Sequence, residues 1–347
     1  MRIEPDLDQE HLIELLRDRY RLDPTGLTFI PYGIDSWSFR ATCGDGSEVF
    51  IKLSRRATAI PWEAPLLAAL AARRVAVPRP LPDRQGGFLN AVDGYDVQLY
   101  EYLHGHTLEG EVDWPDDLYA RVALIVAAVH ASTSAVRDLV ERREHYELPF
   151  LAPFLSAMTA IEDGAELPAG EDPSLSALRD MVLPRVSDVR AAIDRLESLS
   201  DRARTRDSDE VLCHTDIWGS NLLRSDDGAL HLLDWDGALL GPAEHDLFMF
   251  AGTDFFPAER FGWFLDRYRA AGGQARLDPE TFAFYVHRRT LEDLASFVGA
   301  IADGRMEAMD GGSMLDIVAA NLAELGRLED RGHRVSAVLA TDRGSSA

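Results

Sequence analysis

The chain has 347 residues, 46% of them hydrophobic and 27% charged, enough for two domains or lobes with substantial cores and typical of a soluble globular protein. Its formal net charge of −24 argues against nucleic acid or an anionic membrane surface as a partner, because both need basic surface. No apolar run approaches the ~18 residues that span a bilayer, and the opening MRIEPDLDQE has acids where a signal peptide would be basic and then apolar, so a cytoplasmic location is expected.

The first predicted element is an amphipathic helix over residues 9–20, with Leu12, Ile13, Leu15 and Leu16 on one face. Three strands follow at 27–31, 36–43 and 47–54, joined by Gly33 and by Gly44-Asp45-Gly46. In the third strand Val49, Ile51 and Leu53 face one way, and Phe50 and Lys52 the other, by the two-residue period. Of 35 lysines and arginines in the chain, Lys52 is the one lysine. A compact ammonium on a thin stem suits a cleft lined with phosphates, where a planar guanidinium fork would not fit.

A helix is predicted over 61–74, with Leu66, Leu67 and Leu70 inward and Glu63 in its first turn, where an acid suits the helix dipole. A second hairpin, 87–92 and 95–103, turns on Asp93-Gly94. Beyond it the pattern is helical apart from one stretch. Helices are expected at 116–132, at 174–200 with an interruption at Pro184, at 257–271, at 279–302 and at 314–330, with a loose tail from Gly332. Cys43 and Cys213 both sit in apolar, strand-like contexts and read as small buried hydrophobes, with no disulfide framework or zinc cluster.

The exceptional stretch is 211–250, VLCHTDIWGSNLLRSDDGALHLLDWDGALLGPAEHDLFMF. Two short apolar runs around Asp226-Asp227-Gly228 predict a hairpin centred between Asp227 and Gly228, which would set Asn221 and Asp234 side by side at its open end. An amide oxygen and a carboxylate are both hard ligands of the kind Mg²⁺ takes. Asp216, in the loop entering the same end, adds a carboxylate base. A base beside a two-ligand metal site is what phosphorylation of a hydroxyl by MgATP needs. A calcium loop starting at Asp234 is excluded, because its sixth position is Leu239 where glycine is required.

His214-x-Asp216-x-x-x-x-Asn221 followed by Asp234 resembles the catalytic and metal segment of the kinase-like phosphotransferases. Within them the His-Thr-Asp opening, the Leu-Leu-Asp-Trp-Asp close and Gly241-Pro-x-x-x-Asp-Leu are similar to the aminoglycoside phosphotransferase (antibiotic kinase) family. Asp-Trp-Asp and the run from Tyr285 look most like its spectinomycin phosphotransferase branch. The resemblance implies an α+β, bilobal protein-kinase-like fold: a small sheet-based N-lobe over residues 1–103, with one or two helices, and a larger, mainly helical C-lobe over 104–347.

It also implies roles. Asp216 would be the catalytic base, Asn221 and Asp234 the Mg²⁺ ligands, and Lys52, oriented by Glu63, the clamp on the ATP phosphates. Ser36 would lie in the loop that covers the nucleotide, and backbone groups of Glu101 and Leu103 would meet the adenine edge. His214 reads as scaffolding, Asp246 as a brace of the catalytic loop, and Asp236 as a second metal contact or a substrate contact.

The short span from Asp234 to Asp246 leaves no room for a peptide-binding segment, so a small molecule is expected as substrate. An aminoglycoside or aminocyclitol antibiotic is the first reading. Carboxylates such as Asp254, Glu292, Asp293 and Asp310 could meet a cationic substrate, or could be solvated faces. The alternatives are a metabolic kinase of the same fold, acting on homoserine, choline, a sugar or a fructosamine, and a non-catalytic nucleotide-binding pseudokinase. The chain is expected as a monomer or homodimer.

Overall fold

The computed structural model describes residues 3–31, 36–56, 58, 60–111, 114–165, 167–170, 172–251, 256, 260–305 and 311–344. They pack as two units. The first comprises Met1–Arg143, Val211–Leu240 and Arg267–Gln274, and so takes in the hairpin of the motif stretch. The second comprises Glu144–Glu210, Gly241–Asp266 and Ala275–Ala347.

In the first unit, strands β1 (Pro24–Ile30), β2 (Ser36–Cys43), β3 (Glu48–Arg55), β4 (Asn90–Val92) and β5 (Tyr95–Glu101) form an antiparallel sheet in the order β1-β2-β3-β5-β4. Alternation decides its two faces. Phe39, Ala41, Val49, Ile51, Leu53, Val97 and Leu99 form one face and pack with Leu12 and Leu16 of helix α1 (Gln9–Leu15) and the π turn that continues it. Asp8 caps α1 by accepting the Glu10 N–H at 2.9 Å.

The opposite face is polar. Ser38, Lys52 and Gln98 stand in one row across β2, β3 and β5, and all three are buried. Helix α2 (Glu63–Ala72) buries Leu66, Leu67 and Leu70 together with Glu63, its first residue. Downstream come β6 (Gly105–Thr107), α3 (Asp116–Ala131), with an apolar face of Leu118, Val122, Val126 and Val129, and the short α4 (Thr133–Val136).

The motif stretch enters on β7 (Glu210–Cys213) and continues as β8 (Leu222–Ser225), β9 (Leu230–Leu232) and β10 (Leu239–Pro242). Strands β6, β8 and β9 make a three-stranded antiparallel sheet. The strand register differs by one residue from the sequence expectation. Leu222 pairs with Leu232 and Arg224 with Leu230, which centres the hairpin on Asp227. Gly228 donates back to Ser225 at 2.8 Å and takes φ +85°, a turn closed by a glycine bulge, so the loop holds an odd number of residues. Asn221 therefore faces Leu233, whose N–H it accepts at 2.8 Å, and Asp234 lies one residue beyond.

The second unit is helical: α5 (Leu151–Glu162), α6 (Pro173–Val182), α7 (Val186–Arg204), α8 (Glu244–Leu247), α9 (Phe261–Ala270, whose last residues belong to the first unit), α10 (Pro279–Ala302), α11 (Gly311–Leu325) and α12 (Leu328–Gly344). The 24-residue α10 is its spine and packs against α5, α7, α11 and α12. Its start is written in sequence: Asp278 caps by accepting the Thr281 N–H at 2.9 Å, and Pro279 takes the first turn.

Two expectations at the C-terminus are corrected. The helix predicted over 314–330 is two helices that break at Gly326 and Arg327, and the predicted tail beyond Gly332 is helical. Leu328, Val335 and Leu339 repeat at helical spacing and are buried, so an apolar stripe holds α12 down. The helix expected over 257–271 is observed from Phe261, and residues 257–259 lie outside the described residues. Among the described residues no single helix is long and apolar enough to cross a membrane.

Candidate active site

Strand β3 delivers Lys52 to the polar face of its sheet, and the first turn of α2 delivers Glu63 to the same place. Lys52 Nζ donates to Glu63 Oε2 at 2.8 Å and to Oε1 at 3.0 Å. A third partner comes from 184 residues away: Lys52 Nζ also pairs with Asp236 Oδ1. Burial works against the ammonium, but the charges of Glu63 and Asp236 outweigh it and hold Lys52 above the ordinary lysine range, so it stays charged. Burial also raises the Glu63 carboxyl, against the pull of Lys52.

The loop between β7 and β8 is built on left-handed backbone and histidine bonding. Thr215 has φ +78°, in the region that a β-branched residue rarely adopts, and turns the chain so that Asp216 follows. His214 is fully buried, with its ring edge-on to Trp235 at 4.8 Å. Its Nε2 meets the Leu233 carbonyl at 2.7 Å, and its Nδ1 accepts the Asp216 N–H at 3.3 Å. With both ring nitrogens held by backbone, the imidazole ties the Asp216 loop to the end of β9.

Asn221 Nδ2 donates to the Asp216 carboxylate and to the Asp216 carbonyl, both at 2.9 Å. The amide hydrogens are thus spent on Asp216. The amide oxygen, a hard donor, has no partner among the described residues. Asp234 sits at φ +58° after β9, with an open face to solvent. Burial of its inner side, then the like charge of Asp236, raises its carboxyl above the usual carboxylate range. An amide oxygen and an acid crowded by other acids form a donor set that fits a divalent cation.

Other predicted positions are resolved less fully. Ser36 opens β2 opposite Ser54, while residues 32–35 of the predicted covering loop lie outside the described residues. The Glu101 N–H is taken by the Arg79 carbonyl at 2.9 Å, and the Leu103 N–H has no partner among the described residues. Asp246 is buried on α8. Glu292 and Asp293 pair with Arg288 at 3.6 Å and Arg289 at 3.0 Å, and Asp254 and Asp310 lie outside the described residues.

Sequence reading missed the rest of the polar row. Gln98 Nε2 is buried with no hydrogen-bond partner among the described residues, and Tyr100 is buried on the same face beside Glu63. Burial and the charges of Glu63 and Asp236 keep the Tyr100 phenol far above its ordinary value. The two-residue period through Lys52, applied to the paired strand β5, is the signal that would have found Gln98 and Tyr100.

The model of the phosphotransferase enzyme family matches residues 26–285. The chain belongs to this family. Within that span lie the whole five-stranded sheet, save the first residues of β1, and the motif hairpin. Among curated proteins, this phosphotransferase is 26% identical to protein StrN of Streptomyces griseus over 291 residues, 82% of this chain and 83% of that one. Among solved structures it is similar to spectinomycin phosphotransferase APH(9)-Ia in complex with ADP and spectinomycin. There the TM-score is 0.75 at 18% identity, covering 94% of this chain and 99% of that one. A choline/ethanolamine kinase family protein from Mesorhizobium loti gives a TM-score of 0.56 at 18% identity, over 96% and 98% of the two chains. The fold is kinase-like, mixed α and β, and the family is one of phosphotransferases.

Proposed function

We propose that this chain transfers the γ-phosphoryl group of MgATP to a hydroxyl of a small molecule, and that the molecule is an aminoglycoside or aminocyclitol antibiotic. The observation that carries the reading is the pairing of a buried, permanently charged Lys52 with Glu63, together with the Asp216–Asn221 unit held by His214. Phosphoryl transfer asks a protein to position groups and neutralise charge, with little covalent chemistry of its own.

In this reading Asp216 holds the substrate hydroxyl and takes its proton. Asn221 restrains that carboxylate with one face of its amide and offers its oxygen to Mg²⁺ alongside Asp234. Held by Asn221 and Asp234, such an ion would supply positive charge against the ATP phosphates. Lys52 exchanges a carboxylate partner for a phosphate and keeps Glu63 behind it. Ser36 lies where the nucleotide would be covered, and the open Leu103 N–H with the Glu101 carbonyl offers a donor–acceptor edge to adenine.

The substrate class is supported by the likeness in fold to an enzyme bound to ADP and spectinomycin, and by a net charge of −24, which favours a cationic partner. The similarity to a choline/ethanolamine kinase family protein supports a second reading, a metabolic kinase for a small amino-alcohol. ADP release with MgATP, measured on spectinomycin, streptomycin, hygromycin and amino-sugar aminoglycosides beside choline, homoserine and simple sugars, separates them. Stimulation by one antibiotic, with mass spectrometry locating a phosphorylated hydroxyl, supports the first reading; stimulation by a metabolite alone replaces it with the second.

A further inference from the structure

Arg142 makes an unusual set of contacts for an exposed arginine in a chain with 59 acidic residues. It pairs with no carboxylate among the described residues. Its Nη1 donates instead to the backbone carbonyl of Asp236. The guanidinium carbon lies 5.8 Å from the centre of the Trp62 ring, within cation–π range. Trp62 is buried and immediately precedes Glu63 at the start of α2.

The backbone of the same residue grips the far end of the loop. The Arg142 carbonyl accepts the Leu240 N–H at 2.9 Å, and Arg143 bridges Leu240 in parallel. One residue thus holds both ends of 236–240, the segment that leaves the Asp-Trp-Asp sequence. Inside that segment Ala238 N–H closes a turn onto the Trp235 carbonyl at 3.0 Å, and Gly237 lies so near Thr215 that a Cβ there would sit 2.5 Å from its Oγ1. The loop has little room to relax if its outer support is lost.

The geometry points to Arg142 as a positioning residue for the metal–nucleotide site. By holding the Asp236 carbonyl it sets the direction of the Asp234 and Asp236 carboxylates. By lying on Trp62 it ties that loop to the helix that presents Glu63 to Lys52. A guanidinium suits both tasks at once, since it donates in its plane while its face lies on the ring; an ammonium is a compact point charge without that planar face. The inference rests on the MgATP reading above, and its test is chosen to separate the two.

Arg142→Ala and Arg142→Lys are compared with the wild-type chain in three measurements: calorimetric titration with Mn²⁺ and ADP, thermal melting, and steady-state turnover against Mg²⁺ concentration. Arg142→Ala is expected to melt with the wild type and to bind Mn²⁺·ADP roughly ten-fold more weakly, the scale of one lost charged hydrogen bond. It is expected to need more Mg²⁺, to lose kcat rather than gain KM, and to recover in part with added methylguanidine, with Arg142→Lys intermediate. Unchanged Mn²⁺·ADP affinity and Mg²⁺ dependence in Arg142→Ala would overturn the inference. So would a loss that follows the melting temperature and ignores methylguanidine, because that is packing alone. A wild-type chain that binds Mn²⁺·ADP but phosphorylates no hydroxyl refutes the transfer reading, and the titration still decides on Arg142. A wild-type chain that does not bind Mn²⁺·ADP overturns both.

Discussion

Two buried glutamates, one in each packing unit, show what a counter-ion changes. Glu63 in the first unit is matched by the ammonium of Lys52 at 2.8 Å. Glu244 in the second is as deeply buried, but the hydrogen bond it accepts is from the Asp278 N–H, at 2.5 Å. The neighbouring Asp278 carboxylate is itself occupied, capping α10 and pairing with Arg206. Burial raises both acids, and Glu244 is pushed up to about 7. Lys52 fixes where the Glu63 carboxylate sits, whereas Glu244 is held through a backbone donor, and burial leaves both acids raised.

The strongest way to sharpen this contrast lies beside Glu63. On the proposed reading, Asp216→Asn removes the base and lowers kcat by about 10²–10⁴-fold, with melting temperature preserved. An Asp216→Asn enzyme with full turnover would sink that role. Next, Lys52→Ala takes away the phosphate clamp, and kcat/KM for ATP should fall roughly 10²–10³-fold. It also leaves Glu63 buried without its cation, so calorimetry should show a lower melting temperature too. Unchanged ATP kinetics in this variant would refute the clamp.

Glu63→Gln should cost less turnover, about ten-fold, because Lys52 keeps its charge and Asp236 remains as a partner. Its melting temperature should fall at neutral pH. Glu244→Gln should move the other way, with activity unaltered. The folded-state pKa of Glu244 is raised from 4.5 to about 7. Its contribution to stability is therefore full below pH 4.5 and is lost as pH rises towards 7. A neutral amide that still accepts the Asp278 N–H avoids that loss. Glu244→Gln should match the wild type near pH 4.5 and exceed it by roughly 1–3 kcal/mol at pH 8. Parallel melting curves at both pH values would show that Glu244 is not raised.

Much of the site was legible because its parts are local. His214, Asp216 and Asn221 lie within eight consecutive residues, and a hairpin returns Asp234 to them whatever the rest of the chain does. Lys52 was legible for a different reason, being the one lysine on the off-core face of an alternating strand. The hairpin register differs by one residue from the expectation because the sequence Asp226-Asp227-Gly228 suits more than one turn, and only the ladder shows that a bulge is used. The C-terminal helix reads as a tail in sequence because Gly332 and its polar neighbours outweigh a sparse apolar stripe.

The family is legible in the motif stretch from His214 to Leu247, and the N-terminal strands and the motif hairpin are legible in period and spacing along the chain. Only the packing of distant elements brings Asp236 to Lys52, seats Arg142 on the Asp236 carbonyl, places Gln98 and Tyr100 on the polar face, and gives Glu63 an ion pair where Glu244 accepts the Asp278 N–H. Those pairings join residues as many as 184 positions apart. Which of several acids or arginines meets a given partner depends on how the elements pack, and short-range periodicity carries no information about that.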